Sequence, residues 1–407
     1  MYFCDTELFI YKIKDGTLKA TAILNGRVIT PAGLVNDAVI LFDDALIIGV
    51  APCHEITVPT GAQVLDARGL FVSPGYLDSH IHGSFGYDFS NATLEQVGEI
   101  LGRLPSVGVT AVLPTVSSSS SEVTTEALAT LQRASQEIKH GARIVGVHLE
   151  GPYLNYAKRG AQPEQFLREP NIAEMQNLLD RFKGFIRMVT LAPELPGSLE
   201  MIALLKKHDV VVSLGHSSAH FVDVEKAFMK GADRMAHFFS TMSPLHHREP
   251  GMVGAGLYFS EMFLELVLDG HHVDPRVAEI TYRVKGTDKV ILVTDATQAT
   301  GLPEGKYIRP GNREVWVKDG AVRFDSGILA GSVLTMEKAV QNCVQFLHVP
   351  IGDAVRMAST NPAANLHFSH LGSLIPGKQA DLVLLDQDYS VQQTYVAGTK
   401  IFDQTMK

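Results

Sequence analysis

Cysteine is scarce in this chain: three in 407 residues, Cys4, Cys53 and Cys343, far apart and without a Cys-x-x-Cys pair. That argues against a disulfide framework and a thiolate zinc site, and it is the pattern expected of a cytoplasmic protein. Charge of one sign is never concentrated. Lys and Arg number 35 against 44 Asp and Glu, and the net charge of -9 comes without a basic block. No electrostatic footprint for nucleic acid or an anionic membrane is therefore present. No stretch is apolar for long enough to span a bilayer, and Asp5 and Glu7 interrupt the segment a signal peptide would need. What remains, 45% hydrophobic and 19% charged residues, describes a globular protein with a large core that acts on a small molecule.

The length exceeds one ordinary domain but fits a barrel of roughly 250 residues with a small companion module. From about residue 21 to 70, short apolar runs alternate with turn residues, as in Ala38-Val-Ile-Leu-Phe-Asp-Asp and Leu46-Ile-Ile-Gly-Val, and read as β-hairpins. Residues 371–407 repeat that style. One small β-sandwich domain built from both chain ends is expected, with residues 1–20 as an N-terminal extension. Between them, residues 71–370 alternate runs of Val, Ile and Leu with helical spacing at Thr93–Leu104, Glu122–His140 and Ala173–Phe182. Eight strands are expected, ending near His82, Thr115, Glu150, Pro193, His216, Phe239, His271 and Asp295. Eight strand–helix alternations make an α/β fold of the (β/α)8 TIM-like barrel type, with chemistry at the C-terminal strand ends. A doubly wound open sheet is the alternative, but no Gly-x-Gly-x-x-Gly follows the first strand.

Acids and imidazoles gather at those strand ends. His80 and His82 are two apart on a strand, so alternation puts both rings on one face, although a chance His-x-His is credible among 16 histidines. Glu150 closes the apolar run Ile144-Val-Gly-Val-His-Leu, where a carboxylate needs a cation or hydrogen bonds to offset its burial. His148, on the same face, reads as a core residue or a support. His216 and His237 follow their own strands, and Asp295 ends Val290-Ile-Leu-Val-Thr. Singly each has a bland reading as a salt bridge or a hydrogen-bonded core histidine. Together, four imidazoles and two carboxylates form a nitrogen and oxygen shell suited to zinc or a similar divalent ion. The serine run Ser117–Ser121 lacks Gly-x-Ser-x-Gly and reads as the lead into the next helix.

In this order the residues resemble the amidohydrolase superfamily, and longer strings resemble the N-acetylglucosamine-6-phosphate deacetylase family. The strings are Pro74-Gly-Tyr-Leu-Asp-Ser-His-Ile-His-Gly83, His148-Leu-Glu-Gly-Pro152, Gly215-His-Ser217, Met242-Ser-Pro-Leu-His-His-Arg-Glu-Pro-Gly251, Asp269-Gly-His-His-Val273, Val293-Thr-Asp-Ala296 and Leu329-Ala-Gly-Ser332. The resemblance implies a metal held by Glu150, His216 and His237, with Asp295 as catalytic acid/base. His80 and His82 add a second site bridged by Glu150, so one or two divalent ions per subunit are implied, zinc first, with iron or manganese as alternatives. Arg248 and His272 map onto phosphate-binding residues that in relatives reach the substrate across a dimer interface, which implies a homodimer and a phosphorylated amino-sugar substrate. Two departures stand out. Ser240-Thr241 replaces the usual Asn-Ala near the sugar, and Gln162 replaces a histidine that some members place beside the acetyl carbonyl. The implied reaction is removal of the N-acetyl group of N-acetylglucosamine 6-phosphate. The galacto epimer, a non-phosphorylated amide and a catalytically dead barrel are the rivals.

Overall fold

Eight parallel strands run Tyr76–Ile81, Val109–Ser117, Val147–Glu150, Ile186–Leu191, Val211–Leu214, Arg234–Met235, Phe263–Leu266 and Val290–Leu292, each hydrogen-bonded to the next. Their side chains are almost all buried, as expected where both faces of a parallel sheet are covered. These come from a computed structural model that describes residues 20–406; the expected N-terminal extension lies outside the described residues, apart from Ala20. The ring is nearly closed. Ile81 bridges Ala296 in parallel, and the Asp295 amide donates to the His80 carbonyl at 2.9 Å. Asp78 reinforces that seam from inside, accepting from the Thr294 hydroxyl at 2.5 Å.

A helix follows each strand: Leu94–Arg103, Ser121–Glu137, Ile172–Arg181, Ser198–Lys207, Phe221–Met229, Gly251–Tyr258, Pro275–Lys285 and Met336–Leu347. The second shows how local sequence sets them. Ser120 caps it by accepting from the Val123 amide, so the serine run does lead into a helix. Thr124, Leu128 and Leu131 fall three and four apart and turn one face to the barrel. Truncating the buried Leu131 to alanine would cost about 2–5 kcal/mol.

The strand-rich module from the chain ends is a sheet of eight strands. Ala20–Thr30, Gly33–Asp43, Leu46–Pro52, Gln63–Asp66 and Phe71–Pro74 come from the N-terminal side, and Leu382–Leu385, Val391–Val396 and Thr399–Asp403 from the C-terminal side. The two sets join where Phe71–Pro74 pairs antiparallel with Leu382–Leu385. Ile23, Ile40, Phe42 and Leu382 form its core.

The sequence reading missed a third sheet. Gly305–Arg309, Arg313–Lys318, Ala321–Arg323 and Leu329–Ser332 form four antiparallel strands between the eighth barrel strand and its helix. Its last strand returns to the barrel mouth, where Ser332 bridges Ala296.

Candidate metal centre

Two groups of buried side chains that could hold a metal share one carboxylate: Glu150 with His216 and His237, and Glu150 with His80 and His82. One oxygen of Glu150 faces Nε2 of His237 at 3.1 Å, His216 at 3.2 Å and His80 at 3.4 Å. The other faces Nε2 of His82 at 3.3 Å. The sixth expected residue near this cluster, Asp295, lies with one oxygen 3.2 Å from His82 and 3.7 Å from His80. All six come from different strand ends or from neighbouring positions on one, as barrel geometry requires.

Their backbones are constrained. His216, His237 and Asp295 adopt left-handed conformations at φ 47°, 27° and 49°, which cost side chains other than glycine of order 1–3 kcal/mol and which cluster at functional sites. Glycine supplies the close approaches. A Cβ on Gly160 would sit 2.8 Å from Thr241, and one on Gly331, at φ 71°, would sit 2.9 Å from the Asp295 carbonyl. That explains Gly331 in the Leu329–Ser332 string.

In three of the four histidines the far ring nitrogen is anchored in a way that turns Nε2 inward, while Nδ1 of His237 is buried without a partner. Nδ1 of His80 pairs with Glu265 at 2.8 Å, Nδ1 of His82 with the Ser117 hydroxyl at 3.0 Å, and Nδ1 of His216 with the Lys158 carbonyl at 2.9 Å. Such outer hydrogen bonds fix tautomer and orientation in metal-binding histidines. Nε2 of His80 is buried without a hydrogen-bond partner, and Nε2 of His216 and His237 lie 3.1 Å apart while facing the same oxygen. Polar atoms left so are costly unless a cation takes their lone pairs, so the donor set fits a divalent ion.

The charges agree. Burial opposes ionisation of Glu150, yet the imidazoles of His80, His216 and His237 hold its carboxyl well below the usual range. Asp295 is likewise buried and likewise held low, by His82 first and then by the charge of His80. His148 behaves differently: burial keeps it neutral, and it bonds Thr115 and Thr190 at 3.0 and 2.8 Å. It is a core histidine.

A cavity of about 340 Å³ opens over the cluster. His82, Glu150, His216, His237 and Asp295 form its floor, and Gln162, Ser240, Thr241 and His272 form part of its wall. Gln162 donates to Glu150 at 2.5 Å and accepts from the Ser118 amide at 3.0 Å. His272, clamped by Asp269 at 2.7 Å, points its other nitrogen toward Asp295 at 3.7 Å. Arg248 is not brought to this cavity. It is exposed and bonds His247 at 2.8 Å.

Three cavity or support residues escaped the sequence reading. Glu265, a carboxylate inside the apolar strand Phe-Leu-Glu-Leu, carried the same signal as Glu150. Arg309 and Arg323 line the cavity from the unforeseen four-stranded sheet, and no local motif marks them.

The comparisons with known proteins agree with this arrangement. Residues 71–401 match the model of the amidohydrolase family. An N-acetylglucosamine-6-phosphate deacetylase of Vibrio furnissii is 40% identical over 86% of this chain and 86% of its own. An N-acetylgalactosamine-6-phosphate deacetylase of Escherichia coli O157:H7 is 38% identical over 91% of this chain and 97% of its own. The crystal structure of N-acetylglucosamine-6-phosphate deacetylase from Pasteurella multocida superposes with a TM-score of 0.88 at 30% identity, covering 94% of this chain and 99% of that one. With the barrel, the shared carboxylate and these similarities together, the chain belongs to the amidohydrolase family and, within it, to the N-acetylglucosamine-6-phosphate deacetylases.

Proposed function

We propose that this chain hydrolyses the acetamide of N-acetylglucosamine 6-phosphate to glucosamine 6-phosphate and acetate. The observation that carries the reading is the convergence of four imidazoles, Glu150 and Asp295 beneath one cavity, in a chain so similar to deacetylases of that substrate. Glu150, His216 and His237 would hold the main ion, and His80 and His82 with Glu150 would hold a second. Zinc is the first candidate, iron and manganese the next. When bound, a divalent ion lowers the pKa of water to about 7 and polarises the carbonyl.

The chain's own residues do the rest. Asp295, kept ionised, takes a proton from the attacking water and delivers it to the departing sugar nitrogen. Gln162 offers an amide N–H beside the acetyl oxygen. Ser240, Thr241 and His272 contact the sugar phosphate from the cavity wall. Arg248 completes phosphate binding in a partner subunit's cavity, since its exposed position leaves it outside its own. A homodimer is part of this proposal, supported by the exposed apolar residues Leu245 and Ile280, which line one groove, Leu245 three residues before Arg248 in sequence. Among the described residues no helix is long and apolar enough to cross a membrane. A cytoplasmic site of action is proposed, supported by the two free cysteines described, Cys53 and Cys343.

The galacto epimer is the second reading, favoured by Ser240-Thr241 at the sugar and by the similarity to the Escherichia coli enzyme. Acetate release from both epimeric acetamido-sugar phosphates and from unphosphorylated N-acetylglucosamine, on protein of measured metal content, tests the proposal. Turnover confined to the phosphorylated sugars supports it, and equal turnover without phosphate removes the phosphate assignment.

A further inference from the structure

A second cavity, of about 260 Å³, adjoins the candidate metal centre through Ser117, Ser118 and Arg309. Its wall includes Ser117, Ser118 and Ser119, the serine run that the proposed reaction leaves without a task. These serines touch the site from outside. Ser117 holds Nδ1 of His82, and Ser118 holds the Gln162 side chain and the Glu150 carbonyl. One side chain belongs to both cavities: Arg309. It is only 5% exposed, donates to the Ala330 carbonyl at 3.1 Å, and leaves its buried Nε without any hydrogen-bond partner. A guanidinium so placed is costly until an acceptor meets its free N–H.

The second cavity is also positive on balance. Arg309 and Arg313 line it against one carboxylate, Asp88, whose Oδ2 is likewise buried and unpartnered. The Ser90 hydroxyl and the Asn91 amide supply further donors, while the hydroxyls of Ser118 and Ser119 already donate to the Glu150 and Ser117 carbonyls. Phe166 and Val123 give it an apolar side that suits a methyl group.

We propose that this cavity is a carboxylate subsite that receives the acetate product, with Arg309 as the hydrogen-bonding cation at its mouth. The inference rests on the deacetylase reading and adds a binding site to it. Hydrolysis of an acetamide yields two products of unlike chemistry. The amino-sugar phosphate belongs to the larger cavity over the cluster, whereas acetate is a small anion that can occupy a separate site. Guanidinium and carboxylate match in charge and in planar geometry, so Arg309, which lines both cavities, offers acetate a partner.

The test measures binding of isotope-labelled acetate to the metal-loaded protein by saturation-transfer NMR, with and without saturating glucosamine 6-phosphate. Acetate should bind in the presence of the amino sugar, and Arg309→Gln should weaken that binding by about tenfold or more. Arg309→Lys should recover part of it. Thermal melting checks that each variant is folded. Should Arg309→Gln fail to fold, Val123→Trp, which fills the cavity from its exposed rim with Arg309 intact, should weaken acetate in the same way. Acetate affinity unchanged in these variants would overturn the subsite, as would one-for-one displacement of acetate by the amino sugar. Arg309-dependent binding of inorganic phosphate in place of acetate would overturn it too. Failure of the deacetylase reading shows separately, as absence of acetate release by the unmodified protein.

Discussion

Glu265 and Arg234 meet at 2.7 Å in the barrel interior, and neither side chain has any exposed surface. The other oxygen of Glu265 accepts from the His237 amide at 2.9 Å and pairs with Nδ1 of His80 at 2.8 Å. One carboxylate thus neutralises a buried cation and aims two of the histidines that face Glu150. Replacing it with glutamine removes the charge and leaves Arg234 uncompensated. Glu265→Gln is expected to lose about 3–5 kcal/mol in urea unfolding and to bind its metal about 10–100-fold more weakly.

Asp295 belongs to neither group that shares Glu150, so in the proposed reaction its proton transfer is separable from metal binding. Asp295→Asn should keep near-normal metal content and lose about a hundredfold or more in kcat. Substantial turnover in that variant would remove Asp295 from the proton-transfer role.

The two histidine pairs should behave unequally. His216→Ala strips a ligand from the group that Glu150 and His237 complete, and metal analysis should show loss of the main ion together with activity. His82→Ala leaves that group whole, so about one ion per chain should remain. Equal losses in both variants would contradict two sites sharing Glu150.

Asp78 makes stability depend on pH. Burial raises its carboxyl to about 6 from the usual 3.8, against the hydrogen bonds from Thr294. A carboxyl with a raised folded pKa binds its proton more tightly in the folded chain. Its contribution is therefore fully present below about 4, declines as pH rises toward 6, and is flat above. Asp78→Asn lacks this decline, so its stability relative to the unmodified protein should rise across that window. Parallel curves for the two proteins between pH 4 and 6, measured by urea unfolding, would contradict the assignment.

Much of this was legible in the residues because burial leaves a mark on sequence. Glu150 and Asp295 stand at the ends of strands that are otherwise apolar, and a lone acid there has to meet a cation. The helix at Ser121–Glu137 was visible in the three-and-four spacing of its apolar face, and eight strand–helix alternations pointed to the barrel. The four-stranded sheet at 305–332 was not visible. Its short strands alternate exposed and buried positions, and its pairing depends on a return to Ala296 that no local pattern announces. Arg309 went unnoticed for the same reason, since its burial is created by a fold-back and not by its neighbours in sequence. Arg248 shows the opposite limit. Its string implied a phosphate contact, yet within one chain the side chain points to solvent and His247.

The central claim is that Glu150, His216 and His237 share a cation, and anomalous X-ray diffraction from crystals of the metal-reconstituted protein tests it most directly. A peak at about 2.0–2.2 Å from Nε2 of both histidines and from a Glu150 oxygen is expected, lost in Glu150→Ala. Absence of a peak there, or a peak held by other residues, would contradict the account.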